Sequence, residues 1–555
     1  KSLTWMQVTS TGDRSEIAIN RLQAQTWDQI SASNFSRCTG ARDGACFYRL
    51  AREEAAAANI LVVNHALLIS DLMFDGTLIP EYGYLIIDEA HNLEEEATRQ
   101  FGFKMSQPVV SELIEHLSVI TQNITASSRT SDLNQTYKES LQLHLSSAAA
   151  LISRARQAWQ QLSHLFALFM QNSNFEKQDL GNAEIESNIR ILTSSRAQPA
   201  WSEIEIEWDN FERAMSEIGR ISSEILQRLG ETSMEALLGY ENLLIDLSDW
   251  IQEQNEMRRK IAGFVNRPNE SMVYWISGNT NTIALNGAPL DVGAQLQQEL
   301  FSNKRSVILT SATMAVSGSF NHLKNRLGLQ DADELLLGSP FDYQTAVLLC
   351  TPNDMPEPSS PSYLSKLAST IKDLAEAVGG HTLVLFTSHA ALRATSGLLK
   401  EALVPADISV LAQGVDGSPA QLLGQFQDQP QTILLGTASF WEGIDIVNNE
   451  LKVLVVARLP FNIPTEPVFE ARSQLYDNPF SEYAIPQAIL RFRQGFGRLI
   501  RSEDDRGAVV ILDGRISSKA YGRKFLSSLP PTKKDSSSLQ GIGQRVSKWL
   551  SCPEE

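Results

Sequence analysis

At 555 residues, 43% of them hydrophobic, the chain has material for roughly three or four domains with sizeable cores. A formal net charge of −18 excludes a protein coated in basic surface, although a cleft that grips nucleic acid needs only local positive potential. Four cysteines argue against a disulfide scaffold and for a reducing cytoplasm, and the most apolar helical region, Leu162 to Met170, is too short for a membrane span and carries His164.

The chain opens on Lys1, and Lys1 to Thr11 lacks the apolar core of a secretory signal, so the sequence reads as a fragment or a processed chain. The first apolar strand-like run is Tyr84 to Ile87, and it terminates in Asp88-Glu89-Ala90-His91. Two adjacent carboxylates at a strand end suit nucleotide hydrolysis. The first would hold Mg²⁺ through water, and the second would orient the attacking water, because phosphoryl transfer depends on positioning and charge neutralisation. The plainer alternative is that Asp88 caps a helix starting at Glu89, with His91 an ordinary surface residue.

From Gln107 to about Phe264 the texture changes to long helical patterns. Leu141 to Phe169 and Ile204 to Leu229 place apolar residues at three- and four-residue spacing, the mark of core packing. The next strand, Val307 to Leu309, ends in Thr310-Ser311-Ala312-Thr313, whose hydroxyls suit hydrogen bonds between a phosphate site and a nucleic-acid site, or a local turn. Met355 to Ser362 reads as a loop, and Leu383 to Phe386 as a strand. Ile433 to Leu435 leads into Gly436-Thr437-Ala438-Ser439-Phe440-Trp441-Glu442-Gly443-Ile444-Asp445, where backbone N–H groups and hydroxyls suit phosphate. Phe440 and Trp441 would either stack on bases or fill the core. After the strand Val453 to Val456 comes Gln494-Gly495-Phe496-Gly497-Arg498-Leu499-Ile500-Arg501, predicted to put both arginines on one helical face with Gly497 allowing close approach. Guanidinium groups there suit a γ-phosphate, and a salt-bridged surface helix is the alternative. Val509 to Leu512 is the last strand. Open α/β sheets carry ligands beyond the carboxyl ends of their strands, so chemistry is expected at these junctions.

Taken together, DEAH, SAT, the Phe386-Thr387-Ser388 strand end, GTASFWEGID and QGFGRLIR resemble motifs two to six of superfamily two helicases. Ala57 to Leu68, Gly338-Ser339-Pro340-Phe341-Asp342 and Leu459-Pro460-Phe461 bring the resemblance closer, to DinG-like helicases and their iron-sulfur relatives. That resemblance implies an α/β fold of two RecA-like parallel-sheet motor domains with an all-helical, arch-like insertion in the first. The expected boundaries are 1–106 for part of the first motor domain, 107–264 for the insertion, 265–318 for the remainder of the first, and 319–555 for the second. It implies an ATP-dependent DNA helicase or translocase that uses ATP and Mg²⁺ and moves 5′ to 3′ on single-stranded or tailed duplex DNA, in repair or replication. By the same resemblance Asp88 and Glu89 serve Mg²⁺ and water, and His91, Thr310, Ser311 and Thr313 couple the sites. Gln494, Gly497, Arg498 and Arg501 complete the ATP pocket, Gly443 and Asp445 line the nucleotide, and Thr387, Ser388 and Ser439 lie nearer the DNA backbone.

The chain departs from the family pattern twice. No G-x-x-x-x-G-K-[ST] loop occurs, so truncation ahead of Lys1 is expected and the fragment alone should hydrolyse ATP poorly. Only Cys38 and Cys46 lie where relatives carry four cluster ligands, so they are a remnant at most and a [4Fe-4S] cluster is not expected. The competing functions are an RNA helicase, a translocase that does not unwind, and a catalytically silent nucleic-acid-binding module.

Overall fold

The computed structural model describes residues 5, 9–17, 27, 46–74, 76–131, 133–175, 187–231, 239–279, 282–316, 318–429, 431–441 and 451–551. Its strands are β1 (Tyr84–Ile87), β2 (Phe103–Ser106), β3 (Ser187–Arg190), β4 (Met272–Gly278), β5 (Ile283–Pro289), β6 (Ser306–Leu309), β7 (Val347–Cys350), β8 (Thr382–Leu385), β9 (Ser409–Ala412), β10 (Thr432–Gly436), β11 (Val453–Val456), β12 (Gly507–Ile511) and β13 (Lys533–Asp535). Two compact units divide the chain, the first formed by residues 1–83 and 95–291, the second by 84–94 and 292–555.

In the first unit the long helices Gln107–Thr130, Gln135–Phe175, Pro199–Gly230 and Tyr240–Val265 bury one stripe each. Along Pro199–Gly230 the stripe is Trp201, Ile204, Trp208, Phe211, Met215, Ile218, Ile225 and Leu229, a helical period that can be buried only against neighbouring helices. Trp159 meets Phe211 at 5.5 Å between ring centres, joining two of them. The helical expectation for 141–169 and 204–229 therefore holds. The structure adds strands that the helical reading does not include: β2, β5, β4 and β3 form, in that order, a four-stranded antiparallel sheet that shares the helices' core. Phe264 packs edge-on against Tyr274 at 5.9 Å, and the Arg196 guanidinium lies 5.5 Å from the Tyr274 ring while donating to the Phe264 carbonyl. The Asn286-Gly287 pair inside β5 carries no strand signal. Its tertiary cause is plain, since a Cβ on Gly287 would lie 2.4 Å from the Phe103 ring on the neighbouring strand.

In the second unit β1 and β6 pair in parallel, and β13-β7-β12-β11-β8-β10-β9 make a seven-stranded parallel sheet. Alternate residues point to opposite faces, as strand geometry requires. Leu348, Cys350, Val384, Ile433, Leu435, Val453, Val455 and Val510 face one core, with helices Tyr363–Val378, His389–Ala402 and Ile542–Ser551. Leu349, Leu383, Leu385, Leu434, Leu454, Val456, Val509 and Ile511 face the other, with helices Pro419–Asp428 and Ile485–Phe496. All six predicted apolar runs are strands, and Met355 to Ser362 is a loop. β7, β9 and β13 come in addition; β9 and β13 are the sheet's edges, and the polar Lys533-Lys534-Asp535 is what an edge strand tolerates. Among the described residues no helix is long and apolar enough to cross a membrane.

The end of β12 is held by charge. Asp513, fully buried, accepts the Leu459 N–H at 2.9 Å and the Arg515 Nε–H at 2.9 Å, and so fixes the Leu459-Pro460-Phe461 segment to the sheet. Removing one member of a buried ion pair strands the other. Asp513→Ala is therefore expected to cost roughly 3–5 kcal/mol, read as an earlier urea transition of this unit by circular dichroism; an unmoved transition would show the pair to be dispensable.

Candidate nucleotide and nucleic-acid site

The carboxylate turn is built by extending the β1–β6 ladder. Ile87 and Leu309 are register partners; beyond them the Thr310 N–H donates to the Ile87 carbonyl at 2.8 Å and the Ala90 N–H to the Thr310 carbonyl at 3.1 Å. These bonds press Asp88 to His91 against Thr310 to Thr313. Glu89 sits between them at φ 49°, a left-handed conformation costing an L-residue about 1–2 kcal/mol. Such strain persists only where surrounding bonds over-determine it, and it clusters at functional turns. The Asp88 carboxylate accepts the Glu89 N–H at 3.0 Å, a local cap, yet no helix starts at Glu89. A 3₁₀ turn over Ala90–Asn92 intervenes before the helix Leu93–Gln100. Asp88 and Glu89 are exposed to solvent.

The Ser311 hydroxyl is the meeting point. It donates to Glu89 Oε2 at 3.0 Å, lies 2.8 Å from His91 Nδ1, and accepts the Thr313 N–H at 3.2 Å, with the Thr313 hydroxyl at 3.5 Å. With its proton directed to Glu89, Ser311 can only accept from His91, which assigns the imidazole proton to Nδ1. His91 Nδ1 also lies 3.3 Å from Glu89 Oε2, and its side chain is 9% exposed against 58% for Glu89. The histidine therefore stands behind the carboxylate.

The arginine segment departs from expectation. Its helix ends at Phe496 with Gly497 as the cap, so Arg498 and Arg501 lie in the turn beyond it and do not share a helical face. Two things stop the helix: the Asp505 carboxylate captures the Arg501 and Ser502 N–H groups at 2.6 and 2.8 Å, and Leu499 and Ile500 bury themselves in the core, Leu499 against Gly507. The close approach is at Gly495, where a Cβ would lie 2.7 Å from the Trp441 ring; at Gly497 it would meet an ordinary 3.5 Å contact. Arg498 donates through Nε and Nη2 to the Trp441 carbonyl at 3.2 and 3.1 Å, Arg501 is exposed and Gln494 half-buried. Arg493, which the motif reading passes over, donates to the carbonyls of Ala312 and Ala315 and so grips the hydroxyl turn; burial lowers its pKa from the ordinary arginine value.

A third cluster gathers at the carboxyl ends of β8, β9 and β10. Gln413 Oε1 accepts the Thr437 N–H and hydroxyl at 2.7 and 2.9 Å, its Nε2 donates to the exposed Ser439 at 3.2 Å, and His389 Nε2 lies 3.2 Å from the Thr437 hydroxyl. Ser388 caps helix His389–Ala402 by accepting the Ala391 N–H, and Thr387 and Ser388 line a cavity of about 390 Å³ with Tyr363, Phe386 and Arg458. His389 and Gln413 belong to no motif of the sequence, although their place just past strand ends is a signal for a site. Phe440 and Trp441, each 1% exposed, are core residues, and Trp441 Nε1 donates to the Phe386 carbonyl at 3.0 Å.

Gly443, Asp445 and Cys38 lie outside the described residues. Cys46 is buried just ahead of helix Phe47–Ala57, and Cys350 is buried in β7, where loss of solvent pushes its thiol up to about 12. Among the described residues no group of three or more His, Cys, Asp or Glu could hold a metal ion.

Two families match the chain, DEAD_2 over residues 14–110 and the Helicase C-terminal domain over 371–532. The ATP-dependent DNA helicase YoaA of Escherichia coli (strain K12) is 30% identical over 95% of this chain and 76% of its own length. The ATP-dependent DNA helicase DinG of Photobacterium profundum is 30% identical over 92% of this chain and 73% of its own. The 3′-5′ exonuclease DinG of Bacillus subtilis (strain 168) is 29% identical over 96% of this chain, which spans 58% of that protein. A solved structure named XPD helicase superposes with a TM-score of 0.51 at 13% identity, covering 93% of this chain and 79% of that one. That likeness concerns the fold, two RecA-like parallel-sheet domains with a helical insertion. With YoaA matched at this identity over three quarters of its length, the chain belongs to the DinG and YoaA family of ATP-dependent DNA helicases.

Proposed function

We propose that the chain moves 5′ to 3′ along single-stranded DNA and separates tailed duplexes, in DNA repair or replication in the cytoplasm, and that Asp88, Glu89, His91 and the 310–313 turn form its ATP-hydrolysis and coupling centre. One observation carries the reading: the Ser311 hydroxyl hydrogen-bonds to both Glu89 and His91. A change in the load on Glu89 during hydrolysis thereby reaches the 310–313 turn, which Arg493 grips from the helix leading to Arg498 and Arg501.

In this scheme Glu89 orients the attacking water and accepts its proton. The exposed Asp88 carboxylate is of the right chemistry to hold Mg²⁺ through water, and the ion would neutralise phosphate charge. Arg498, which donates to the Trp441 carbonyl, turns toward the γ-phosphate, where its charge stabilises the transition state. Gln494, Gly497 and Arg501 flank it. Thr387, Ser388 and Ser439 hold the DNA backbone, helped by the hydrogen-bonded His389, Gln413 and Thr437.

The natural full-length protein is expected to hydrolyse ATP faster with single-stranded DNA, and to open a duplex with a 5′ tail but not one with a 3′ tail. Glu89→Gln should lower that turnover by roughly 10²–10³ while DNA binding persists. Absence of stimulation in the unaltered protein would leave a silent binding module, and opening of RNA duplexes alone an RNA helicase. Ser311→Ala should reduce the number of base pairs opened per ATP hydrolysed, because the hydrogen bond that ties Glu89 to the 310–313 turn is lost; an unchanged ratio removes Ser311 from coupling. Arg498→Ala should cut kcat by about 10³ with DNA affinity retained, measured by steady-state hydrolysis beside fluorescence anisotropy.

A further inference from the structure

Behind the carboxylate turn lies a charged cluster that the scheme above does not use. Glu94 follows the 3₁₀ turn directly, one residue into the helix Leu93–Gln100, and Leu93 beside it is fully buried. Its carboxylate accepts Arg326 Nε at 3.0 Å, with a second, shorter bond to Arg326 Nη2, and Arg472 Nη1 at 2.6 Å. The side chains of Arg326, Arg472 and Glu94 are 7%, 6% and 13% exposed. Arg326 belongs to helix Asn321–Leu327, which follows the 310–313 turn, and Arg472 to helix Pro467–Ser473, 378 residues from Glu94. The bond thus joins the DEAD_2 region to the Helicase C-terminal region.

The surroundings reinforce the junction. The Arg326 guanidinium lies 5.3 Å from the Tyr483 ring, and Tyr483 packs on Phe469 at 5.0 Å and Tyr476 at 5.3 Å. Tyr483 sits in the π-helical turn Phe480–Ala484 that runs straight into helix Ile485–Phe496, and so toward Arg498. Burial alone would raise the Glu94 carboxyl and works against its charged form, but the hydrogen bond and charge of Arg326, with the charge of Arg472, hold it below the ordinary value. His322 is close enough to feel the same carboxylate and is held low by burial.

A buried ionic cluster is a poor source of net stability, because desolvation of three charges offsets most of their attraction and apolar residues of like volume would hold the helices as well. What charged forks add is a single register between two elements and a contact that can be exchanged as they move. We infer that Glu94 and Arg472 are a positioning pair: they hold the carboxylate turn in register with the helix that leads to Arg498, so that DNA bound to one part of the motor sets the geometry of Glu89 and Arg498 in the other. This rests on the proposed DNA-stimulated hydrolysis. Both side chains are largely buried behind the turn; Glu94 acts through Glu89 by fixing the turn, and Arg472 acts through Glu94.

The test compares kcat for ATP with and without single-stranded DNA in the natural full-length protein and its Arg472→Ala and Arg472→Lys variants. Arg472→Ala should lower the ratio of DNA-stimulated to DNA-free kcat by roughly five- to tenfold with KM for ATP little changed, and Arg472→Lys, which keeps charge but loses the fork, should restore part of it. A merely structural role lowers both rates together and leaves the ratio intact, which overturns the inference. If Arg472→Ala does not fold, an Arg472→Lys ratio equal to that of the unaltered protein overturns it equally. Lack of stimulation in the unaltered protein overturns the proposed function and this pair with it, whereas equal stimulation in all three overturns the pair alone.

Discussion

The parallel register of β1 on β6, Ile87 beside Leu309, is the constraint on which the site depends. Carried past the strands by the bonds from Thr310 to Ile87 and from Ala90 to Thr310, it leaves Glu89 no room but the left-handed region and sets Ser311 between Glu89 and His91. A one-residue slip would turn every side chain to the opposite face and dissolve the contact. The strain in Glu89 is small beside the several hydrogen bonds that hold the turn, so the carboxylate is kept exposed at modest cost.

The seven-stranded sheet extends the same logic. Its inner strands β7, β12, β11, β8 and β10 are largely apolar on both faces because helices cover both, and polar groups gather at the edges and where the strands end. Thr387 and Ser388 follow β8, Gln413 follows β9, and Thr437 and Ser439 follow β10, so neighbouring strands deliver them to one edge. Trp441 then links this edge to the arginine segment, through its indole N–H to Phe386 and its carbonyl to Arg498, with Gly495 making room for the ring. The hydroxyl cluster and the arginine segment are thus fastened to one core.

Where the motif reading went astray, burial decided the matter. Spacing alone put Arg498 and Arg501 on a helical face, but Leu499 and Ile500 gain more by entering the core, and Asp505 supplies the N–H acceptor that lets the chain leave the helix. Phe440 and Trp441, open between stacking and packing, are claimed by the core for the same reason. β5 has no local pattern to read, because its Asn286-Gly287 pair answers to the Phe103 ring on the neighbouring strand.

By itself the sequence determined six of the strands and the polar residues that follow them, because a buried strand must be a short apolar run bounded by a polar break; Tyr84–Ile87 before Asp88 and Thr432–Gly436 before Thr437 are legible for that reason. It also determined the helical stripe of Trp201 to Leu229, whose period is local. Tertiary structure alone decided the partnerships: Ser311 with Glu89 across 222 residues, Arg493 with Ala312 across 181, and Glu94 with Arg472 across 378. Separations of that length leave no periodic trace in a sequence, and buried charges become satisfiable only when folding brings their counter-charges to them.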